Sequence, residues 1–194
     1  MICDGVLTQT VAPATDLFTV DDARGWLRVD ATDEDTLIGG VIKAATLLLD
    51  GPYGHVGKAL ITQTWAYTRA PLNGRQALKF PLTPFASLTS VTYFDSDNTS
   101  QPLGDILEIF KEDDFAYIRP KIDNEWPSMY QREDAMTVTA VCGFGSASAV
   151  PENIIVAGKM LTAHLFEHRG DELHEVPPMI AMLVDKDRVG WLAA

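Results

Sequence analysis

The chain has 194 residues, 46% of them apolar and 9% aromatic, which is typical of one folded domain with a core and excludes an intrinsically disordered chain. Acidic residues outnumber basic residues by 27 to 15, and the net charge of -12 disfavours tight binding to nucleic acid or to an anionic membrane. This charge does not exclude contact with passing double-stranded DNA, because a negatively charged channel wall lets a polyanion slide without binding it specifically.

No segment indicates export or membrane insertion. Residues 1–15 lack a basic stretch followed by an apolar core, and no apolar run approaches the roughly 18 residues of a membrane span. Cys3 and Cys142 do not have the spacing of a metal site, so we expect two free thiols. The sequence therefore predicts a soluble protein made in a reducing cytoplasm, with no membrane partner.

A short helix is predicted after a flexible N-terminal segment that covers residues 1–15. Thr19 and Asp22 have the spacing of a capping box, and Phe18 stands where a hydrophobic staple begins. This helix is expected to run to about Arg28.

A second helix-start signal follows at Thr32, where Asp33, Glu34 and Asp35 also complement the positive end of the helix dipole. We interpret these carboxylates as capping groups and not as a metal site, because capping explains both their spacing and their charge. The helix is expected to end near Asp50. Its apolar residues recur at the spacing of one buried stripe: Leu37, Ile38, Val41, Ile42, Ala45, Leu48 and Leu49.

The middle of the chain is predicted to form an antiparallel sheet. Short runs rich in Thr, Val, Ile, Tyr and Phe are separated by turn clusters such as Asn73-Gly74 and residues 95–98. Prolines 81, 84 and 120 are expected at strand ends or in turns. The predicted strands are residues 61–69, 78–80, 90–94, 116–119 and 137–141.

Two more helices are predicted after the strands. Pro151 stands where a first helical residue belongs, and a helix to Arg169 carries an apolar side on which Gly158 permits close packing. Its apolar residues are Ile154, Ile155, Ala157, Leu161 and Leu165. After an acidic loop and two prolines, residues 179–191 are predicted to form a short detached amphipathic helix, which could fold back on its own domain or dock into a groove on a partner. The pattern indicates an α+β fold, with helices packed beside a small antiparallel sheet and a C-terminal tail helix.

One motif suggests catalysis. His164, Glu167 and His168 match H-x-x-E-H, in which two histidines one helical turn apart bind zinc and the glutamate acts as base. Glu172, His174 and Glu175 follow too closely to be assigned as a third ligand. We therefore favour the interpretation that His168 and Arg169 are cations at a helix C-terminus, where the dipole favours them, with Glu167 solvated and His164 partly packed. A small zinc-dependent hydrolase is kept as the alternative.

Other enzyme motifs are absent from the sequence, including a nucleophile elbow, a P-loop and a complete dinucleotide-binding glycine motif. We interpret Gly143-Phe144-Gly145 as a turn. Trp126-Pro127 and the apolar run 80–85 are interpreted as packing elements.

The layout resembles the head-tail connector (adaptor) family of tailed phages and gene transfer agents. The likeness covers residues 20–170 and lies in the order and spacing of packing and turn features. The matching segments are residues 20–29, 33–35 with Leu37-Ile38, 63–65, 82–91, Trp126-Pro127, 141–145, Val150-Pro151 and 167–169.

The resemblance implies a structural, non-enzymatic subunit at the head-tail junction of a particle assembled in a host cytoplasm. Copies would form a ring, commonly of twelve, that binds the portal protein and extends the DNA channel toward a downstream neck or tail-completion protein. It implies no catalytic residue, no cofactor and no metal. Another neck protein of the same particle, such as a tail-completion protein, remains an alternative.

The resemblance also implies a division of roles along the chain. Residues 16–170 would form the connector domain, whose helices in 20–50 and 151–169 shape subunit contacts, and residues 171–194 a hinge and a portal-docking helix. The docking residues would be Pro178, Ile180, Leu183, Val184, Arg188, Trp191 and Leu192.

Overall fold

The structure is a computed structural model that describes residues 5–112, 115–168 and 176–189. The fold is α+β, as predicted. Its elements in chain order are β1 (Gly5–Val11), α1 (Val20–Leu27), α2 (Asp35–Leu49), β2 (Gln63–Arg69), β3 (Leu78–Lys79), β4 (Phe85–Phe94), β5 (Ser100–Pro102), β6 (Leu107–Glu112), β7 (Phe115–Pro120), β8 (Met136–Cys142), α3 (Glu152–Glu167) and α4 (Pro178–Val184).

The described residues form two compact units, each assembled from separate stretches of the chain. The β unit contains residues in 5–12 and 63–143, and the helical unit contains residues in 13–62 and 144–189. The division into 1–15, 16–170 and 171–194 stays a prediction. No helix among the described residues is long and apolar enough to cross a membrane.

The β unit contains two antiparallel sheets, where the sequence predicted one. The larger sheet has the order β1-β2-β8-β4-β5, and the smaller one has the order β3-β7-β6. In the larger sheet, β8 lies between β2 and β4, with Ala140 opposite both Trp65 and Leu88. Alternate residues of β8 are buried, as expected of a central strand with one face on a core.

Three strands were not predicted: β1, β5 and β6. β1 is an edge strand with mostly exposed residues, in a segment that was predicted to be flexible. The segment lacks the alternation of apolar and polar residues that marks a half-buried strand. β6 is likewise an edge strand, and β5 has only three residues. Pairing with a neighbour therefore determines these strands more than their own side chains do.

Helix α1 begins with the predicted capping box. The Asp22 backbone N–H donates to the Thr19 hydroxyl at 3.0 Å, and the Thr19 N–H donates to the Asp22 carboxylate at 3.1 Å. The Thr19 hydroxyl also donates to the Asp22 carboxylate at 2.6 Å, and this bond, together with that from the Thr19 N–H, holds the pKa of the Asp22 carboxyl below its usual value. The helix ends at Leu27, and Arg28 adopts a left-handed conformation.

Helix α2 differs from its prediction at the start. Its N-terminal cap is Glu34, and no side chain makes a capping hydrogen bond there, so the box predicted at Thr32 is wrong. Asp35 lies in the first turn, where its charge suits the helix dipole, and its Oδ1 lies 3.4 Å from Arg24 Nε. The C-terminal end at Leu49 agrees with the prediction.

Helix α3 runs through the core of the helical unit. Its buried residues include all those predicted except Leu165, which is partly buried. A Cβ on Gly158 would lie 3.0 Å from Phe18 Cε1 and 3.1 Å from Leu17 Cδ2, so the close packing predicted there is confirmed. Other core residues come from α1, α2 and α4: Ala23, Ile38, Ile42, Ala45, Leu49, Ile180 and Val184.

Candidate functional site: the C-terminal helix

The predicted docking residues are divided between the core and the surface. Ile180 and Val184 are buried against the helical core, one helical turn apart, and Leu183 is partly buried against it. Pro178 and Arg188 are exposed. Trp191 and Leu192 lie outside the described residues.

Helix α4 is anchored within the helical unit, so of the two alternatives it folds back on its own domain, and only its description as detached is wrong. Asn153 Nδ2 of α3 donates to the Leu183 carbonyl at 2.8 Å and to Asp187 Oδ2 at 2.7 Å. Further along, the Val189 N–H donates to the Val56 carbonyl at 2.9 Å. The spacing of Ile180 and Val184 indicates an apolar helical face, but only the structure supplies Asn153 as the residue that holds it.

The outward side of α4 presents two methionines that the sequence analysis missed. Met179 is 66% exposed and Met182 is 76% exposed. They are three residues apart and thus lie on the same side of the helix. Methionine is flexible and polarizable, and it is common on surfaces that bind other proteins. The i, i+3 spacing was the available sequence signal.

The histidine pair of α3 does bring two imidazoles together. The ring centroids of His164 and His168 are 4.4 Å apart, and His168 Nδ1 is 2.9 Å from the His164 carbonyl oxygen. Glu167 is exposed. In the described part of the chain, no group of three or more His, Cys, Asp or Glu residues could hold a metal ion. Glu172, His174 and Glu175 lie outside it.

The remaining candidates are packing elements. Trp126 is buried, and its Nε1–H donates to the Gln76 carbonyl at 2.8 Å. Phe80 and Phe85 meet edge to face, with ring centroids 5.5 Å apart. Cys142 is a buried free thiol, and burial raises its pKa to about 12, so it is a poor nucleophile.

The chain is similar to chains in solved structures of gene transfer agent (GTA) particles. One is in the neck of an empty GTA particle computed with C6 symmetry, with a TM-score of 0.77 and 21% identity over 97% of this chain and 98% of that chain. This fold occurs in GTA particles. Another, in the virion of a native GTA particle, has a TM-score of 0.73 and 22% identity over the same shares of both chains.

A third similar chain is in the neck of a native GTA particle computed with C12 symmetry, with a TM-score of 0.69 and 19% identity, again over 97% of this chain and 98% of that chain. No protein-family model and no curated protein matches the sequence. The likeness therefore covers nearly the full length of both chains at low sequence identity, and it establishes a shared fold.

Proposed function

We propose that the protein is a structural, non-enzymatic subunit of the head-tail connector of a phage-type particle, located in the particle neck. The observation that carries the proposal is the match over 97% of this chain and 98% of its structural neighbour from a GTA neck. A match over nearly the whole length of a chain with two units is more specific than a match to one common domain.

The proposed assembly is a ring of identical subunits beneath the portal protein, and a dodecamer is the expected size. The C6 and C12 symmetries of the two neck structures support a ring, since head-to-tail contacts between identical copies close into one when the rotation fits. The net charge of -12 suits a channel through which double-stranded DNA slides without specific binding. A downstream neck or tail-completion protein would bind on the tail side.

In this proposal the C-terminal segment docks onto the portal. Its exposed residues Pro178, Met179, Met182 and Arg188 would make the contact, together with Trp191 and Leu192. Ile180 and Val184 would act indirectly, because their burial fixes α4 to the helical unit. The helix would therefore be presented as a formed surface and would not need to fold on binding.

The experiment is size-exclusion chromatography with light scattering, run on the chain alone and with the purified portal protein of the same particle. Deleting residues 178–194 would remove core side chains, so point variants are preferable. Met179→Glu with Met182→Glu tests the outward side of α4, and deletion of residues 190–194 tests the remaining tail. Ile122→Glu, at an exposed apolar residue of the β unit, is the matched control.

The connector and its docking segment are supported if the ring assembles with portal, if both the methionine variant and the tail deletion weaken that assembly, and if the control leaves it intact. Assembly that neither variant weakens would retain the connector and remove this segment from the portal contact. Failure of the wild-type chain to associate with portal, together with stoichiometric zinc in the purified protein, would instead favour a hydrolase using His164, Glu167 and His168.

A further inference from the structure

Helix α2 has an unusual outward surface. We define the α2 outer face as its exposed residues, which cover about 140° of the helix circumference at 100° per residue. They are Thr36, Leu37, Gly40, Lys43, Ala44, Leu47 and Leu48. Six of these seven residues are uncharged, whereas the solvent side of a surface helix is ordinarily polar or charged.

Three leucines dominate the α2 outer face. Leu37 is 40% exposed, Leu48 is 41% exposed and Leu47 is 75% exposed. Two of them, Leu37 and Leu48, belong to the stripe that the sequence predicted to be buried, and both lie outside the core of this chain. A helix that is apolar on both sides is typical of one that is covered on both sides.

Gly40 at the centre of the face has no role in the packing of the chain itself. A Cβ built there would have no atom within 4 Å, apart from the two adjacent residues and the backbone of its own helix, so the chain has room for a larger residue. A glycine inside a helix costs about 1 kcal/mol relative to alanine. Close approach by a group from outside the chain would account for glycine at this position.

We propose that the α2 outer face is one half of the contact between neighbouring copies of this chain in the ring; this inference rests on the proposed function and adds a partner surface to it. The other half is a different surface of the next copy, because contacts in a ring are head-to-tail. From Leu37 to Leu48 the face is about 17 Å long at 1.5 Å per residue.

The charges on the face favour a second copy as its occupant. Each copy carries a net charge of -12, so two copies repel one another over most of their surfaces. The α2 outer face carries no carboxylate, and its single charge is the cation Lys43. It therefore meets an acidic copy without like-charge repulsion, and Lys43 complements the charge of that neighbour.

Two variants test the contact, with one matched control. Leu47→Glu places a carboxylate at a 75% exposed leucine, and Gly40→Leu fills the open space above the glycine. The control, Ile122→Glu, makes the same apolar-to-acid change at a 70% exposed residue of the β unit. All three are compared with the wild-type chain by light scattering, alone and with portal, after circular dichroism has established that each is folded.

Both α2 variants are expected to raise the concentration needed for half-assembly of the ring by roughly tenfold or more, since each removes apolar contact area or blocks its approach. The control is expected to assemble like the wild type. A benzoylphenylalanine photo-cross-linker in place of Leu47 should yield a product of two copies of this chain.

The outcomes separate this inference from the proposed function. If the wild-type chain forms a ring and both variants assemble equally well, the α2 contact is overturned and the connector function is not. The same holds if position 47 cross-links to portal alone. A wild-type chain that stays monomeric alone and with portal overturns both.

Discussion

Helices α2 and α3 have similar lengths, 15 and 16 residues, and both are rich in apolar residues, but they are buried to different extents. The residues of α3 that remain exposed are its terminal glutamates, Glu152 and Glu167. α2 is covered on one side and presents leucines on the other. Core packing within the chain thus accounts for the apolar residues of α3, but it does not account for the exposed leucines of α2.

The central glycines of these helices show the same contrast. Gly158 of α3 faces Phe18 and Leu17 at a distance that leaves no room for a side chain. Gly40 of α2 faces open space. One helix therefore serves the folding of the subunit along its whole length, whereas the other leaves its outer face exposed.

Truncating a leucine to alanine should lower the stability of the subunit strongly in α3 and hardly at all in α2. Leu161 of α3 is fully buried, so Leu161→Ala should lower the free energy of unfolding by about 2–5 kcal/mol through lost transfer energy and the cavity left behind. Leu47→Ala of α2 should change it by less than about 0.5 kcal/mol, as at other exposed sites. Urea unfolding of both variants measures the difference.

Equal losses of stability at the two positions would contradict the comparison, because they would mean that the outer face of α2 is buried within the subunit. If Leu47→Ala leaves the free energy of unfolding unchanged but weakens the ring, Leu47 contributes to assembly and not to the folding of the subunit.

The next effect concerns the link between α3 and α4. Asn153→Ala removes the two hydrogen bonds from its Nδ2 to the Leu183 carbonyl and to the Asp187 carboxylate, one of which is to a charged group. We expect a loss of about 1–2 kcal/mol, on the scale of such bonds. Hydrogen exchange should become faster in residues 178–187.

Exchange in β2 and β8 of the β unit serves as the internal control and should not change. Unaltered protection of residues 178–187 would mean that burial of Ile180 and Val184 alone holds α4 in place.

The sequence was sufficient to predict those parts of the fold that local patterns determine. The capping box of Thr19 and Asp22 gave the start of α1, and Gly158 gave the close packing of α3, because each depends on a short motif or on a contact typical of its residue type. Edge strands such as β1 were missed, since their pairing partner lies far away in the chain and their side chains are largely exposed.

For the candidate site, residue type and periodicity identified the C-terminal helix but not the orientation of its side chains. Ile180 and Val184 are apolar like Met179 and Met182, and only the packing against α3 shows that the first pair is buried and the second exposed. In α2, the periodicity of Leu37 and Leu48 indicated an apolar helix, but it could not distinguish the side that the subunit buries from the side that it leaves exposed.

A smaller effect comes from the two glycines. Gly40→Ala should raise the free energy of unfolding of the subunit by about 0.5–1 kcal/mol, because alanine is the better helix former and its methyl group has space. Gly158→Ala should give less than this gain, since its methyl group must displace Phe18 and Leu17 by a few tenths of an ångström. Thermal unfolding of the two variants checks the difference, and an equal gain at both positions would contradict it.

A weak pH dependence of stability is expected at the C-terminal end of α2. His55 follows that end, and its Nε2 is buried without a hydrogen-bond partner among the described residues. Burial lowers the pKa of His55 below the 6.5 of an unperturbed imidazole, and nearby Arg188 lowers it further against the opposing charge of Asp185. The unfolded chain therefore binds the proton more readily than the folded chain.

The sign of the pH effect follows from this difference in proton binding. Well above pH 6.5 the imidazole is neutral in both states, and as the pH falls through 6.5 toward the lower pKa of the folded state, the subunit should lose stability. His55→Gln should remove this part of the pH dependence, which urea unfolding of both proteins between pH 7.5 and about 5 would reveal. An NMR titration of the His55 ring in the folded protein with a midpoint at or above 6.5 would show instead that the end of α2 is as well solvated as its outer face.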